Sequence, residues 1–370
     1  MNAAMSVADS AEGFAASSTG RPLTIGTSAI GTSAFGALAF ASSFTVCLLA
    51  AGALAITVFG RPAVPGITLE LAHNEAPKTQ APISAPVAQT GPVAAPVTGV
   101  LYAGRALMAD PALIENTSIG PLPRIADDGR KPMTAYAAPA PAGAKFKIAI
   151  MVGGLGVSAS ATQAALQTLP AGVTLGFAPY SADVGEWAGK ARAGGHEVLL
   201  QIPMEPFDFP DSDPGPNTLR AGQDEDANLQ RMRWALSRFT GYAGVTNLLG
   251  QRFLADSAAL SPALTHLNRR GLYFFDNGAA SQSVAPSVAA QVGIPAAQSN
   301  TNIDAIQTAT EIDRRLLELE TQARANGSAV GSAFLYPVSV ARIAAWAKGL
   351  QARGFVLVPV SAILPQQPKQ

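Results

Sequence analysis

Residues 147–156 constrain the fold of this chain more than any other stretch. They read KIAIMVGGLG, so an apolar run leads directly into a glycine-rich segment. A continuous apolar run bounded by glycine is typical of a buried strand in a parallel sheet, followed here by a tight turn. Functional residues of α/β proteins lie at the carboxyl ends of such strands. Gly153 and Gly154 are therefore predicted to lie at the mouth of any active site and to contact substrate.

The remainder of the chain repeats this pattern of strand and helix. The predicted strands are 146–152, 173–178, 197–202, 244–248, 272–276, 296–298, 329–335 and 355–360. Shorter helices are predicted at 159–168, 184–193, 258–269, 284–291 and 339–353, in addition to the two longer ones described next. Seven or eight such units over about 220 residues predict an α/β fold, a distorted (β/α) barrel with helices outside a parallel sheet. An open, doubly wound sheet is the alternative.

Two of the predicted helices carry a clear apolar stripe. Apolar residues recur at spacings of three and four in two places, Leu229, Met232, Leu236 and Phe239, and Ile312, Leu316, Leu319 and Ala323. This spacing places them on one face of a helix. The second stripe ends at Asn326-Gly327, a favourable helix C-terminus.

The first 144 residues differ in composition from the repeating part. Residues 1–36 are predicted to be a disordered tail, and residues 22–60 contain no charged side chain. The apolar stretch 37–59 is long enough for one membrane crossing of about 20 residues, although Ala53-Leu54-Ala55 also resembles a signal-peptide cleavage site. Residues 60–144 are rich in Ala and Pro and predict an extended linker.

Within the predicted linker, residues 110–136 mix large apolar side chains with paired charges. This mixture predicts that they pack on the domain that follows, which is assigned to residues 145–366. One arginine flanks each end of the uncharged stretch 22–60, so charge does not fix the orientation of the predicted membrane segment.

Charge and cysteine content exclude several classes of function. The chain has 25 basic and 25 acidic side chains, which gives no reason to expect a nucleic-acid partner. The single cysteine, Cys47, excludes an intramolecular disulfide and a cysteine-based zinc cluster. Three histidines limit metal chemistry, and His73 falls in the predicted linker.

Polar and aromatic residues at predicted strand ends are the candidates for chemistry. Glu205 and Asp276 follow or close strands, so they could form a carboxylate pair for acid/base work on a glycoside, with a solvated surface glutamate as the alternative for Glu205. Asn247, Tyr180 and Tyr336 lie at other strand ends, where they could bind substrate; sugar clefts often use aromatic rings as platforms. His196 begins a strand, at the opposite end from the predicted mouth. A structural hydrogen bond is its expected role.

A dinucleotide site is a third possibility for the glycine turn. Gly154-Leu-Gly156-Val-Ser-Ala159 fits the pattern G-x-G-x-x-A between a strand and a helix. The acidic residue expected about 20 positions later at the tip of the second strand is missing. The nearest acid, Asp183, is predicted to cap the next helix. A tight turn without a cofactor is the favoured interpretation.

Six segments in order resemble the divergent polysaccharide deacetylase family. They are KIAIMVGGLG, VTLGFAPYS, GHEVLLQIPMEP, NTLR at 217–220, GVTNLLG at 244–250 and GLYFFDNG at 271–278. The resemblance covers about residues 145–364 and implies a distorted (β/α) barrel. An anchor followed by a Pro-rich linker is similar to the layout of envelope-facing bacterial members.

The resemblance also implies that the catalytic base and the metal ligands of the family are missing from this chain. Classical relatives use one aspartate as base, while a second aspartate and two histidines hold a divalent metal that activates water. Here Gly153 and Gly154 stand where the first strand would end in paired aspartates. Leu248 stands where a histidine would follow Asn247, and the seventh strand ends in Tyr336-Pro337 without a histidine. Glycine and leucine side chains cannot ligate a metal, so the prediction is a retained fold with no cofactor and no metal-dependent hydrolysis.

The sequence therefore predicts a polysaccharide deacetylase-like protein of envelope carbohydrate metabolism that binds a glycan or an envelope protein. It is predicted to be a single-pass inner-membrane protein with its C-terminal domain in the periplasm. An active hydrolase using Glu205 and Asp276 is the alternative, and a dinucleotide-binding enzyme is a more distant one.

Overall fold

The computed structural model describes residues 109–141, 143 and 145–365, which all belong to one structural unit. The predicted tail 1–36, the predicted membrane segment 37–59 and much of the predicted linker lie outside the described residues. Within the described residues, every helix is too short or too polar to cross a membrane.

The described chain alternates strands and helices. The strands are β1 (Ile114–Thr117), β2 (Gly120–Pro123), β3 (Lys147–Leu155), β4 (Thr174–Phe177), β5 (Val198–Met204), β6 (Gly244–Leu249), β7 (Tyr273–Asp276), β8 (Ala296–Gln298), β9 (Thr301–Asn302), β10 (Ser328–Phe334) and β11 (Val356–Val358). The helices are α1 (Pro132–Ala135), α2 (Ala159–Thr168), α3 (Val184–Ala193), α4 (Glu225–Leu236), α5 (Gln251–Leu254), α6 (Ser257–Arg269), α7 (Ala285–Val292), α8 (Ala309–Asn326) and α9 (Pro337–Lys348). Short 3-10 turns occupy Pro111–Leu113, Gln351–Arg353 and Val360–Ile363.

Nine strands form one parallel sheet in the order β8-β7-β6-β5-β4-β3-β10-β9, with β11 beside the start of β3. The sheet curls into a half-barrel that carries helices, which is consistent with a deacetylase-type (β/α) barrel. From β3 to β8 each strand lies beside the next strand in the chain. A doubly wound sheet would instead reverse direction at a switch point, so the strand order favours the barrel type.

The chain between β8 and β9 contacts both ends of the sheet. The Ser299 N–H donates to the Asp276 carbonyl beside β8 (2.8 Å), and the Asn300 N–H donates to the Val330 carbonyl of β10 (3.1 Å). This crossing brings the ends of β7 and β10 to the same rim. The rim at the carboxyl ends of the strands is called the mouth below, and the opposite end is called the base.

Both faces of the sheet are buried. An inner cluster includes Met151, Leu199, Tyr273 and Phe275, while an outer cluster packs the other face of the strands against the helices. Strands buried on both faces read as continuous apolar runs, which is why the runs in this sequence locate the strands. The stripe of α8 is buried as predicted, and Gly327 ends that helix in the left-handed conformation (φ +81°).

The glycine segment is placed differently from the prediction. β3 does not end at Val152 but continues to Leu155, so Gly153 and Gly154 belong to the strand. The pairing of β3 with β4 shifts register between Val152 and Leu155, and Gly154 has φ +88°. This is a bulge-like irregularity, in which glycine permits the positive φ. The turn itself begins at Gly156.

Residues 110–136 pack on the domain, as their composition predicts. β1 and β2 form an antiparallel hairpin whose Leu122 is fully buried in the outer cluster. The Met133 N–H donates to the Gly271 carbonyl (3.0 Å), and the Arg270 guanidinium donates to the Pro123 carbonyl (3.0 Å). Part of the range assigned to the linker therefore belongs to the packed structure.

Candidate functional site

The space around the glycine pair at the mouth is already filled. A β-carbon placed at Gly153 would lie 2.7 Å from Nε2 of Gln201, and one placed at Gly154 would lie 2.5 Å from the Phe334 ring. Real side chains do not tolerate such approaches without displacing their neighbours. The carboxylates that the resembled family carries here would collide with an amide on β5 and a phenyl ring on β10.

Gln201 is the residue that sequence reasoning missed at this position. It is 1% exposed, and its Oε1 accepts a hydrogen bond from the Gly154 N–H (2.6 Å). A single polar residue inside the apolar strand VLLQIPM was the available signal, because a buried amide requires hydrogen-bond partners. Gln201 lies on β5, two strands away from β3, and its hydrogen bond fixes the irregular end of β3.

The turn after β3 does not present its N–H groups to a dinucleotide. The Gly156 N–H donates to Oγ1 of Thr162 in α2 (2.9 Å), and the Ala161 N–H donates to the capping Ser158 hydroxyl (3.4 Å). Asp183 accepts from the Ser181 hydroxyl and from the Trp187 indole (2.8 Å) at the start of α3. Both bonds lower the pKa of the Asp183 carboxyl. Asp183 occupies the predicted N-cap position of α3, but its side chain accepts no backbone N–H of that helix.

Asn247 joins the ends of β6 and β7 and is fully buried. Its Oδ1 accepts from the Asn277 N–H (3.0 Å), and its Nδ2 donates to Oδ1 of Asn277 (2.8 Å) and to the Leu249 carbonyl (2.6 Å). The Asn277 carbonyl in turn accepts from the Ser332 hydroxyl of β10 (2.6 Å). Asn247 therefore holds the mouth together, and its substrate-binding role stays a prediction.

Glu205 lies directly after β5 and is 6% exposed. Its Oε2 accepts from the Ala221 N–H (2.7 Å), and its Oε1 lies 3.3 Å from a guanidinium nitrogen of Arg252. The carboxylate therefore ties the long loop 205–224 and the helix α5 to the end of β5.

Asp276 lies at the end of β7 but on the outer side of the sheet. Its Oδ1 accepts from the Gly278 N–H (2.9 Å), and its Oδ2 accepts from the Gln298 amide (2.9 Å). It lines a groove with α7, on the same side as Phe274. The structure does not bring Asp276 and Glu205 together, because they follow strands that are separated by β6 and bind separate partners. Two strand spacings alone amount to roughly 10 Å, beyond the carboxylate separations of glycosidases.

Asp304, after β9, is a third buried carboxyl group at the mouth, and no sequence signal distinguished it. Its Oδ2 accepts from the Phe334 N–H (2.8 Å) and from the Ser339 hydroxyl (2.7 Å). Burial raises the pKa of Asp304 above its ordinary value, and the two hydrogen bonds oppose that rise. Each of the three buried carboxyl groups at the mouth thus accepts a backbone N–H and positions a loop.

Aromatic side chains occupy the rim above these loops. Phe334 and Tyr336 are both partly buried, with ring centres 5.2 Å apart. Tyr180 is 37% exposed and packs against Trp234, with ring centres 5.4 Å apart. Partial burial raises the pKa of Tyr180 to about 12. Both predicted platform residues, Tyr180 and Tyr336, therefore lie at the mouth.

Ionisable groups at the base join strands of the sheet to one another and to the C-terminal 3-10 turn. Nδ1 of His196 lies 2.9 Å from the Val173 carbonyl, and burial lowers the pKa of this histidine. Glu197 is fully buried, and its Oε1 accepts from the Tyr273 hydroxyl (2.8 Å) and the Ser361 N–H (3.0 Å). The placement of His196 fits the structural role predicted for it.

The residues at the mouth do not fit the metal that the resemblance implies. The side chains of Gly153, Gly154 and Leu248 offer no donor atoms, and the Phe334 ring packs against Gly154. Among the residues that the structure describes, no group of three or more His, Cys, Asp or Glu side chains is arranged to hold a metal ion. No chemical step is therefore derived through a metal.

Comparison with known proteins agrees with the fold. A crystal structure of the uncharacterized protein ATU2773 from Agrobacterium tumefaciens C58 is 41% identical, with a TM-score of 0.65; the match covers 66% of this chain and 99% of that one. The uncharacterized protein YibQ of Escherichia coli K12 is 26% identical over 172 residues, 46% of this chain and 53% of YibQ. An uncharacterized protein of Haemophilus influenzae is 22% identical over 207 residues, 56% of this chain and 73% of that protein.

The match spans about half the length of YibQ, so it speaks for the shared domain alone. The sequence profile described as divergent polysaccharide deacetylase matches residues 150–364, more than half of the chain. This range agrees with the segments that carried the resemblance. The chain belongs to the divergent polysaccharide deacetylase family.

Proposed function

We propose that this domain binds an envelope glycan at its mouth and does not deacetylate it by a metal-dependent reaction. The observation that carries the proposal is the filled space at Gly153 and Gly154. Gln201 and Phe334 occupy the positions that a base and a metal ligand would need. Restoring either acid would require the Gln201 or Phe334 side chain to move away from the position it occupies.

The buried carboxyl groups support the same conclusion. A general base must reach the proton that it removes, directly or through one water molecule. Glu205, Asp276 and Asp304 are each at most 6% exposed and each already accepts a backbone N–H. They stabilise loops, and the rings above them supply apolar contact area for a ligand.

Metal content and acetate release test the loss of hydrolysis. Purified protein, dialysed after exposure to Zn²⁺, Mn²⁺ or Co²⁺, is expected to retain no stoichiometric metal. It is expected to release no acetate from chitin-type or peptidoglycan-type oligomers. Retained metal together with acetate release would overturn the proposal. Release that Glu205→Gln abolishes would instead support a hydrolase that uses Glu205.

Glycan-binding measurements test the proposal that the mouth binds an envelope glycan. Calorimetry with the same oligomers is expected to show binding without turnover. Tyr336→Ala is expected to weaken that binding, because it removes ring area next to Phe334. Leu317→Ala is the matched control, since Leu317 is 59% exposed on α8, away from the mouth. Equal losses in both variants would show that the mouth is not the site.

The proposal includes a location. We propose that residues 37–59 anchor the chain in the inner membrane and that the domain faces the periplasm, near envelope glycans. The uncharged apolar stretch and the Pro-rich segment that follows support this placement. Protease treatment of spheroplasts is expected to digest the domain, whereas protection until the membrane is lysed would contradict the orientation.

A further inference from the structure

Exposed apolar side chains collect on one arc of the mouth. Six large hydrophobic residues are well exposed in the described chain, and four of them follow strands at this end: Val157 (69%), Tyr180 (37%), Phe207 (59%) and Ile306 (57%). Their strands are β3, β4, β5 and β9, and Tyr336 follows β10. These five residues are called the apolar crescent.

The crescent follows the order of the sheet. The strands β5, β4, β3, β10 and β9 are successive neighbours, and each contributes one crescent residue. Four strand spacings amount to about 19 Å. Exposed apolar side chains on five adjacent strand ends form an arc along one edge of the sheet, and an arc of this length suits a linear chain better than a compact partner.

The loops that carry the crescent are acidic. Residues 156–158, 178–183, 205–224, 303–308 and 335–336 contain five exposed carboxylates, Asp183, Asp208, Asp211, Asp213 and Asp224. No ion pair in the described part of the chain uses any of the five. The one basic residue in these loops, Arg220, lies over the Phe209 ring at 4.4 Å. One further cation reaches the arc, because the Arg238 guanidinium donates to the Pro179 carbonyl (3.3 Å). The five exposed carboxylates still outnumber these two arginines, so the loops carry an excess of negative charge.

Carboxylates and rings are interleaved along the arc. Asp213 accepts the Gly215 N–H (2.8 Å), and Gly215 packs so closely on Tyr180 that a β-carbon there would lie 2.3 Å from the phenol oxygen. Asp208 directly follows Phe207 and accepts the Ser212 hydroxyl (2.6 Å). A ligand that rests on either ring therefore meets a carboxylate beside it.

We infer that the crescent binds a linear glycan whose amino sugars carry free amines, which is a de-N-acetylated chain. The inference rests on the proposed function and names its ligand. A sugar ring can lie on Tyr180 or Phe207 by its apolar face. Its ammonium group is attracted to the carboxylates and to the ring faces. An N-acetylated chain offers the same apolar faces but no positive charge.

The test compares two glycans that differ only in acetylation. Calorimetry on the purified full-length chain uses the glucosamine hexamer, the N-acetylglucosamine hexamer and, as a third probe, a basic amphipathic peptide of similar length. The glucosamine hexamer is expected to bind about tenfold more tightly than the acetylated one, as a few exposed ion pairs allow. That preference is expected to fall as salt is added, because the charges are exposed.

Variants separate charge from apolar contact. The double substitution Asp208→Asn with Asp213→Asn is expected to abolish the preference for the glucosamine hexamer, because it removes the carboxylates that lie beside Phe207 and Tyr180. Phe207→Ala is expected to weaken both hexamers. Asp127→Asn and Leu317→Ala are the controls, because Asp127 is exposed beyond the hairpin β1–β2 and Leu317 lies on α8. Neither control is expected to change binding.

Each other outcome has a distinct meaning. Equal binding of the two hexamers overturns the inference and leaves the proposed glycan binding intact. Binding of neither hexamer overturns both. Tighter binding of the basic peptide than of the glucosamine hexamer overturns the inference in favour of a protein partner on this face.

Discussion

The base and the mouth of the sheet both bury carboxyl groups, yet they use them differently. At the base, Glu197 joins strands and the C-terminal 3-10 turn through the Tyr273 hydroxyl and the Ser361 N–H. At the mouth, Glu205, Asp276 and Asp304 each hold one loop through its backbone N–H groups. Each of these carboxyl groups accepts at least one backbone N–H, although Oε2 of Glu197 has no hydrogen-bond partner among the described residues. The mouth differs in what lies above its buried groups, since exposed rings and acids form a surface there.

The mouth shows how loops of this fold can be held by side chains that are not metal ligands. Glu205, Asp276 and Asp304 fix these loops by accepting backbone N–H groups. Gln201 and Phe334 then fill the space that the missing side chains leave. A surface built in this way can retain a ligand without supplying a base.

The largest expected effect comes from restoring an acid at the mouth. Gly154→Asp is expected to lower the free energy of unfolding by about 3 kcal/mol, because a residue with a β-carbon is strained at φ +88° and would overlap the Phe334 ring. Urea denaturation measures the loss. Gly129→Asp is the control, since Gly129 has φ +83° but no atom within 4 Å of an added β-carbon.

The control isolates the clash from the backbone strain. Gly129→Asp is expected to cost about 1 kcal/mol, the lower end of the range for a non-glycine residue at positive φ. Adding Phe334→Ala to Gly154→Asp is expected to recover part of the loss, since it removes the overlapping ring. Equal losses at positions 129 and 154 would show that Phe334 does not fill the site.

The next largest effect is expected at the joint between β6 and β7. Asn247→Ala is expected to destabilise the protein by about 2 kcal/mol, because it removes a fully buried amide and leaves the partly buried Asn277 N–H without its acceptor. Thermal denaturation measures the change. Asn268→Ala is the control, because its amide makes one bond, to the Val292 carbonyl, and its loss is expected to cost about 1 kcal/mol. A smaller loss at Asn247 than at Asn268 would contradict the role of Asn247 at the mouth.

The contribution of the base to the free energy of unfolding is expected to depend on pH. Burial raises the pKa of Glu197 above its ordinary value. The stability that this group contributes is therefore present below its ordinary pKa and is lost as pH rises through the raised one. Glu197→Gln removes the titration, so its free energy of unfolding is expected to fall less with rising pH than that of the wild type. Urea denaturation across the acid-to-neutral range measures the two slopes.

A matched variant checks that the slope belongs to the buried site. Glu186→Gln removes a glutamate that is exposed on α3 and paired with Lys190. Its slope is expected to follow the wild type. Parallel slopes for wild type and Glu197→Gln would show that Glu197 does not titrate in this way.

The strands of the sheet were predictable because their burial on both faces leaves long apolar runs in the sequence. The same property made it impossible to predict which face of the sheet Asp276 lies on. The segment LYFFD is apolar on both sides of the sheet, so alternation gave no indication that Phe275 faces inward and Asp276 outward. The absence of acids at Gly153 and Gly154 could be read directly from the sequence.

What fills the glycine site could not be read from the sequence. Gln201 and Phe334 reach Gly154 from positions 47 and 180 residues away, through the curvature and register of the sheet. The residue pattern of β3 does not predict the side-chain rotamers of residues on β5 and β10. Only part of the crescent could be predicted from the sequence, for the same reason. The sequence predicts Tyr180 and Tyr336 as platforms. The grouping of Val157, Phe207 and Ile306 with them depends on the strand order.

The smallest effect is expected at the third carboxyl group of the mouth. Ser339→Ala removes one of the two donors to Oδ2 of Asp304 and is expected to cost about 1 kcal/mol at neutral pH. Since that bond lowers the pKa of Asp304 against the effect of burial, its loss raises the pKa further, and the cost is expected to shrink in acid, where the carboxyl group is protonated. Urea denaturation at neutral and acid pH measures the difference, with Ser287→Ala as the control because its exposed hydroxyl donates to the Val284 carbonyl. If the loss in free energy of unfolding caused by Ser339→Ala does not change with pH, Asp304 holds the Phe334 loop as a neutral group. The difference between base and mouth would then depend only on the glycine pair and the crescent.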